Sequence, residues 1–330
     1  MKKQNFGKIE RIILFGGGQT NLETAKMLQK KNIELFIFLS KSQSLDKNNF
    51  EKKIYSKILK ERKIKYKVLN SLKEKKTWQQ YVTKNTLGIS NTCRWIFDKE
   101  DILLFKKKLI NVHNSELPSF AGGGGKSWSL LMNEISSGIT MHFIDQNIDT
   151  GKIITRTQFK FPKNSHNSLD KMNKFAINFE VKQINKFLKN IINQKNFTMK
   201  NYVLKNNNEA SYWPRLKTEE NSWINWNWDA KDICNFVNAF GYPYSGARTY
   251  FNKEIIKLTY AKPAKSKLKF HPFQSGIIYR INDNNIFVAC FNGGIILNKK
   301  DFNKKSRLLG QRLNTPYKKL EEAFEIKNIK

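Results

Sequence analysis

Apolar residues in the first part of the chain come in short runs separated by stretches of helical spacing. Arg11 to Phe15 is one such run, closed by Gly16-Gly17-Gly18, and Leu22, Ala25, Met27 and Leu28 follow at helical intervals. This predicts a strand, a glycine turn and a helix. Ile33 to Leu39 is nearly unbroken apolar sequence, as expected of a strand buried on both faces. A helix through Ile54 to Leu59, an alternating strand at Lys63 to Leu69, and apolar pieces at Leu87 to Ile89 and Trp95 to Phe97 around the polar loop Ser90-Asn91-Thr92 continue the pattern. Leu109, Ile110 and Val112 read as the end of another buried strand. Because strand side chains alternate, Asn111 and His113 leave it on one face. Ile139 to Ile144 and Gly151 to Gln158 read as strands on either side of a loop, and Leu169 to Ile192 carries apolar residues at helical intervals without proline or glycine. Strands alternating with helices argue for a mostly parallel, doubly wound α/β sheet.

The texture then changes. Asn193 to Ala210, rich in Lys and Asn, reads as a linker. Beyond it come an extended aromatic element at Ile224-Asn225-Trp226, a short helix from Ala230 to Phe240, a turn from Gly241 to Gly246, and short alternating runs at Ile255 to Leu258, Gly276 to Ile281, Ile286 to Ala289 and Ile295 to Leu297. Short strands with Gly and Asn turns predict a small, OB-like β-barrel. The expected organisation is a catalytic domain at 1–192, a linker at 193–210 and a C-terminal domain at 211–330.

Composition changes this picture little. With 330 residues, 39% hydrophobic, and 24 Phe, 11 Tyr and 7 Trp, the chain has the material for a core and is not a disordered protein. No apolar run reaches the length of a membrane span, and the start, with a five-residue apolar run before its glycines, reads as a first strand, so a cytoplasmic protein is expected. Cys93, Cys234 and Cys290 are far apart and odd in number, which argues against a disulfide framework or a zinc site. The formal charge of +33 invites a nucleic-acid partner. Yet only nine of its 60 basic residues are arginine, the better fork for phosphate, and the lysines are scattered among Asn and Ile as a strongly A+T-biased genome would scatter them. The charge therefore leaves an anionic partner such as tRNA, a nucleotide-linked sugar or a membrane surface open without requiring one.

Two glycine clusters resemble nucleotide motifs and fail the comparison. Gly16-Gly17-Gly18 would open a dinucleotide fingerprint, but its last glycine position is Asn21, and the second strand ends at Ser40 without an acidic residue. Gly125-Lys126-Ser127 mimics the end of a phosphate loop whose opening glycine would be Phe120. Among the four histidines, His142 lies in an alternating strand and reads as structural, and His166 and His271 sit in polar or turn segments. No pair has metal-ligand spacing, so no metal is expected. His113 differs, because Asn111 shares its face and the bare backbone Gly122 to Gly125 follows Pro118.

Set beside Gly138, Thr140 and Ile148-Asp149-Thr150-Gly151-Lys152-Ile153, the run Asn111, His113, Ser115, Leu117, Pro118, Gly122 resembles the folate-dependent formyltransferases, a family that includes methionyl-tRNA formyltransferases and sugar-nucleotide N-formyltransferases. Asn114 stands where the family usually has proline, and Glu116 where an apolar residue is common. Tyr212-Trp213-Pro214-Arg215-Leu216, the Ile224 to Trp226 element and Tyr242-Pro243-Tyr244-Ser245-Gly246-Ala247 are similar to the family's small C-terminal domain.

The resemblance implies transfer of a formyl group from N10-formyltetrahydrofolate to an amine through a tetrahedral intermediate, with Asn111, His113 and Asp149 as catalytic residues. Asn111 and protonated His113 would hold the oxyanion, while Asp149 would set the imidazole's charge and relay a proton. It further implies a pterin site around Leu87, Ser90, Asn91, Asp145 and Thr150, and acceptor binding by Ser115, Gly122, Gly123, Lys126 and Trp128. For the acceptor, the glycine loop and the aromatic elements Trp226, Trp228 and Tyr242 to Tyr244 lean towards a nucleotide-linked amino sugar. Initiator methionyl-tRNA is the alternative, although Lys41 to Lys67 lacks the glycine and proline of the tRNA branch's basic insertion. A catalytically silent binding module on the same fold is a third reading. The oligomeric state is left open, a homodimer included.

Overall fold

A computed structural model describes residues 3–198, 210–265, 268–302 and 307–325. The chain divides into two compact units. One comprises Met1–Gly122, Ser137–Phe159 and Phe175–Tyr212, the other Gly123–Ser136, Lys160–Lys174 and Trp213–Lys330.

The first unit is built on seven strands: β1 (Arg11–Phe15), β2 (Glu34–Ser40), β3 (Tyr66–Leu69), β4 (Thr86–Ser90), β5 (Leu109–His113), β6 (Ser136–Phe143) and β7 (Ile153–Lys160). They are ordered β3-β2-β1-β4-β5-β6-β7. The first five in that order pair in parallel, and β6 runs antiparallel beside β5. The order reverses between β1 and β4, so the carboxyl ends of the central strands form the crevice in which open α/β sheets place their chemistry. Ile12 to Phe15 and Ile37 to Leu39 are fully buried, in keeping with their unbroken apolar sequence. Phe15, Phe38, Trp78 and Phe105 form an aromatic core on one face, each contributing roughly 1.5–3 kcal/mol by burial. Leu109 belongs to that cluster. Asn111 and His113, two and four residues on, therefore emerge on the same side at the strand's carboxyl end.

The third strand is shorter than its alternation predicts, because Lys63 adopts φ 54 and breaks the extended run before Tyr66. The long helix spans Leu169–Ile192, as its periodicity implies. Of the expected linker, Phe197–Thr198 pair with Lys3–Gln4, and 199–209 lie outside the described residues.

In the second unit, β8 (Ala247–Phe251) and β9 (Glu254–Leu258) form a hairpin. Strands β10 (Ala261–Pro263), β11 (Ile278–Ile281), β12 (Asn285–Cys290) and β13 (Gly293–Asn298) form an antiparallel sheet ordered β10-β13-β12-β11. The helix Ala230–Ala239 lies over their common core, and its Asn238 amide both donates to and accepts from the backbone of Ala261. The expected barrel is not closed among the described residues. The hairpin and the sheet have separate ladders, and isolated bridges at Asn314 and Arg312 tie the closing segment to Tyr250 and Ile277. Trp226 is core, 6% exposed, with its indole N–H donated to Thr249, and Trp228 packs on Phe236. Those two aromatics thus serve packing, whereas Tyr242 and Tyr244 are exposed.

Candidate active site

The antiparallel register of β5 and β6 sets His142 opposite Asn111 and Thr140 opposite His113. The loop after β6 then carries Asp149 back to the tip of β5. Asp149 holds φ 58, a left-handed backbone that costs a non-glycine residue on the order of 1–2 kcal/mol. Gly151, two residues on, passes so close to the carbonyl of Phe143 that a Cβ there would collide with it.

The Asp149 carboxylate faces both catalytic candidates. Its Oδ2 accepts the Gly122 N–H at 2.9 Å and lies 3.4 Å from His113 Nδ1. Its Oδ1 accepts from Asn111 Nδ2 at 3.3 Å and lies 3.6 Å from His142 Nε2. Burial would raise this carboxyl, but the neighbouring His142, the charge of His113 and the Gly122 N–H outweigh it and hold the group below its ordinary 3.8. The aspartate is thus ionised at neutral pH.

His142, which its alternating strand had marked as structural, is part of this cluster. Its Nδ1 lies 2.8 Å from the carbonyl of Phe143, and since a carbonyl only accepts, Nδ1 carries the proton. Nε2 of the protonated ring faces Asp149 as a donor, and in the neutral ring it accepts the Asn111 amide at 3.1 Å. Both hydrogens of that amide are engaged, one by His142 and one by Asp149. Alternation along Ile139 to Ile144 carries no information on which strand it pairs with, so the contact of His142 with Asn111 is not legible in the sequence.

His113 Nε2 points at the carbonyl of Phe120, 2.7 Å away, and Ser115 Oγ donates to the same carbonyl at 2.7 Å. Gly122 enters the cluster through its N–H. Of the residues expected around the pterin, Leu87 is fully buried in the sheet, while Ser90 and Asn91 follow at its carboxyl end. The Asn91 amide is wholly buried, and neither of its polar atoms meets a hydrogen-bond partner. Thr150 donates to Asp145 at 2.7 Å, closing the loop that carries Asp149. Gly123, Lys126 and Trp128 belong to the second unit. There the Gly123 N–H donates to Trp213, Lys126 lies on the helix Gly125–Leu131, and Trp128 packs on Trp213 at 5.0 Å with its indole N–H on Pro214. The cysteines are free, and burial pushes the Cys93 thiol up to about 11 and that of Cys234 up to about 12, which leaves neither as a ready nucleophile. No described helix is long and apolar enough to cross a membrane.

The profile described as "Formyl transferase" matches residues 10–186, and that described as "Formyl transferase, C-terminal domain" matches residues 217–315. The bifunctional polymyxin resistance protein ArnA of Wigglesworthia glossinidia brevipalpis is 28% identical over 302 residues, 84% of this chain and 43% of the relative. The methionyl-tRNA formyltransferase of Clostridium tetani is 28% identical over 215 residues, 64% of each chain. This chain thus spans less than two thirds of the length of these curated relatives. An N-formyltransferase from Helicobacter canadensis, solved with folinic acid and dTDP-3-aminofucose, superposes with a TM-score of 0.65 at 20% identity over 88% of this chain and 98% of that one. At that identity the likeness is one of fold.

Proposed function

This chain belongs to the formyl transferase family, and from that premise we propose that it transfers a formyl group from N10-formyltetrahydrofolate to a primary amine, with Asn111, His113 and Asp149 carrying the reaction. The observation that bears most weight is the Asp149 carboxylate, which faces Asn111 through one oxygen and His113 through the other. Each group has work that its neighbours suit. The weaker of the two bonds made by the Asn111 amide, the 3.3 Å one to Asp149, is the one a formyl oxygen can take over, giving that oxygen a donor as it gains charge. Neutral His113 can accept at Nδ1 the proton that the amine sheds, and Asp149, held ionised, stabilises the imidazolium that forms. The long 3.4 Å separation is of the kind that tightens when substrate excludes water. Asn91, with its buried and unpartnered amide, is the folate residue whose hydrogen bonding is left for a ligand. The donor set of amide, imidazole and carboxylate suits acyl transfer and asks for no metal.

For the acceptor we favour a nucleotide-linked amino sugar. The Helicobacter canadensis protein of like fold was solved with such a compound, and the tRNA branch's glycine- and proline-containing insertion is missing from Lys41 to Lys67. The assignments of Gly123, Lys126 and Trp128 to the acceptor rest on sequence resemblance, as does the functional division into 1–192, 193–210 and 211–330. We read the second unit as OB-like on the strength of its shared core and bridging segment. Initiator methionyl-tRNA is the second reading, favoured by relatives such as the Clostridium tetani enzyme. Rates with purified initiator methionyl-tRNA and with dTDP-linked amino sugars, followed by mass spectrometry of the product, decide between them. Formylation of the sugar nucleotide supports the first reading, and formylation of tRNA alone overturns it.

A further inference from the structure

The sequence reads Ser115 as an acceptor-binding hydroxyl, but its surroundings give it different work. The residue is 5% exposed, and its hydroxyl donates to the carbonyl of Phe120. Nε2 of His113 meets that same oxygen at the same 2.7 Å. A carbonyl oxygen has two lone pairs and no proton, so the two donors fill it, and the ring nitrogen facing it must carry a hydrogen whatever the charge on the imidazole. Nδ1 is then the nitrogen that gains and loses a proton, and Nδ1 is the one that faces Asp149.

The turn that delivers the Phe120 carbonyl is tied at several points. The Phe120 N–H donates to Glu116 at 2.8 Å, and the Leu117 N–H to Thr140 Oγ1 at 3.1 Å. That hydroxyl in turn donates to the Ser115 carbonyl at 2.8 Å, while Arg156 donates to the Leu117 carbonyl. On the far side of the Phe120–Ala121 peptide, the Ala121 N–H donates to Ser211 at 3.0 Å. The peptide plane is therefore held from its N–H side by Ser211 and from its oxygen side by Ser115.

We propose that Ser115 is a positioning residue: by holding the Phe120 carbonyl against Nε2, it keeps His113 in the Nε2–H tautomer with Nδ1 turned to Asp149. The role of Nδ1 in turnover rests on the formyl-transfer reading, whereas the identity of the titrating nitrogen does not.

Nitrogen-15 NMR of histidine-labelled protein, recorded above the pH at which His113 loses its charge, reads the tautomer directly. The wild type is expected to show Nε2–H alone, Ser115→Ala a mixture of tautomers, and Ser115→Thr, which keeps the hydroxyl, a return to Nε2–H. In turnover, Ser115→Ala should lower kcat on the order of tenfold, a part of the roughly 10²–10⁴ that a positioned acid or base contributes, with KM for folate and acceptor unchanged. If the alanine variant does not fold, Ser115→Cys, a weak donor of similar size, reports the same tautomer shift. A tenfold rise in either KM at constant kcat would mean that the hydroxyl touches substrate, and an unchanged tautomer in Ser115→Ala would mean that it holds nothing; either overturns the proposal. A wild type without formyl transfer would sink the functional reading and leave the tautomer result standing.

Discussion

Oδ2 of Asp149 lies 3.4 Å from Nδ1 of His113, although His113 ends a strand and Asp149 lies in a loop 36 residues on that reaches its place only by adopting a left-handed backbone at φ 58. Strain of this kind persists when the surroundings over-determine the residue. Here the Gly122 N–H, the Asn111 amide and the close passage of Gly151 beneath Phe143 do so.

One consequence is a dependence of stability on pH. The Asp149 carboxyl titrates below 3.8 in the folded protein, so acid protonates it in the unfolded chain first. Its contribution to stability is therefore fully present above about pH 4 and is lost as pH falls through the folded value. Urea unfolding of the wild type and of Asp149→Asn should show a stability difference that is larger at about pH 6 than at about pH 3. A difference that grows towards acid would contradict the assignment.

Gly151→Ala should be among the more damaging single changes in the first unit. The added methyl runs into the Phe143 carbonyl, which is backbone and cannot turn aside as a side chain can. The loop must shift and take Asp149 with it. We expect destabilisation of about 1–3 kcal/mol together with loss of most activity. Thermal unfolding and turnover measured on the same preparation check both, and a fully active, fully stable variant would show that the loop is free to relax.

His142 should matter through Asn111. Replacing it by Phe leaves the Asn111 amide without its 3.1 Å partner, and kcat is expected to fall roughly 10–100-fold, the range seen when a group supporting a reacting residue is removed. His142→Gln, whose side-chain oxygen can accept the same N–H, should recover part of the loss. Equal activity in both variants and the wild type would return His142 to a purely packing role.

The sequence carried the strand and helix pattern of the first unit well, because parallel strands buried on both faces leave unbroken apolar runs such as Ile33 to Leu39. It also brought Asn111 and His113 onto one face by alternation alone. What it left out depends on tertiary pairing: which strand lies beside β5, and hence that His142 meets Asn111, and that the backbone carbonyl of Phe120 receives Nε2 of His113. Whether Trp226 and Trp228 face a ligand or, as here, pack in the second unit's core is likewise set by tertiary contacts that the sequence does not show.

The most direct test of the account is the rate of formyl transfer from N10-formyltetrahydrofolate to an amino-sugar nucleotide by the wild type and by Asp149→Asn, each confirmed folded. The account predicts a product carrying one added formyl group with the wild type and a rate lower by roughly 10²–10⁴ with the variant. Equal rates in the two proteins would contradict it.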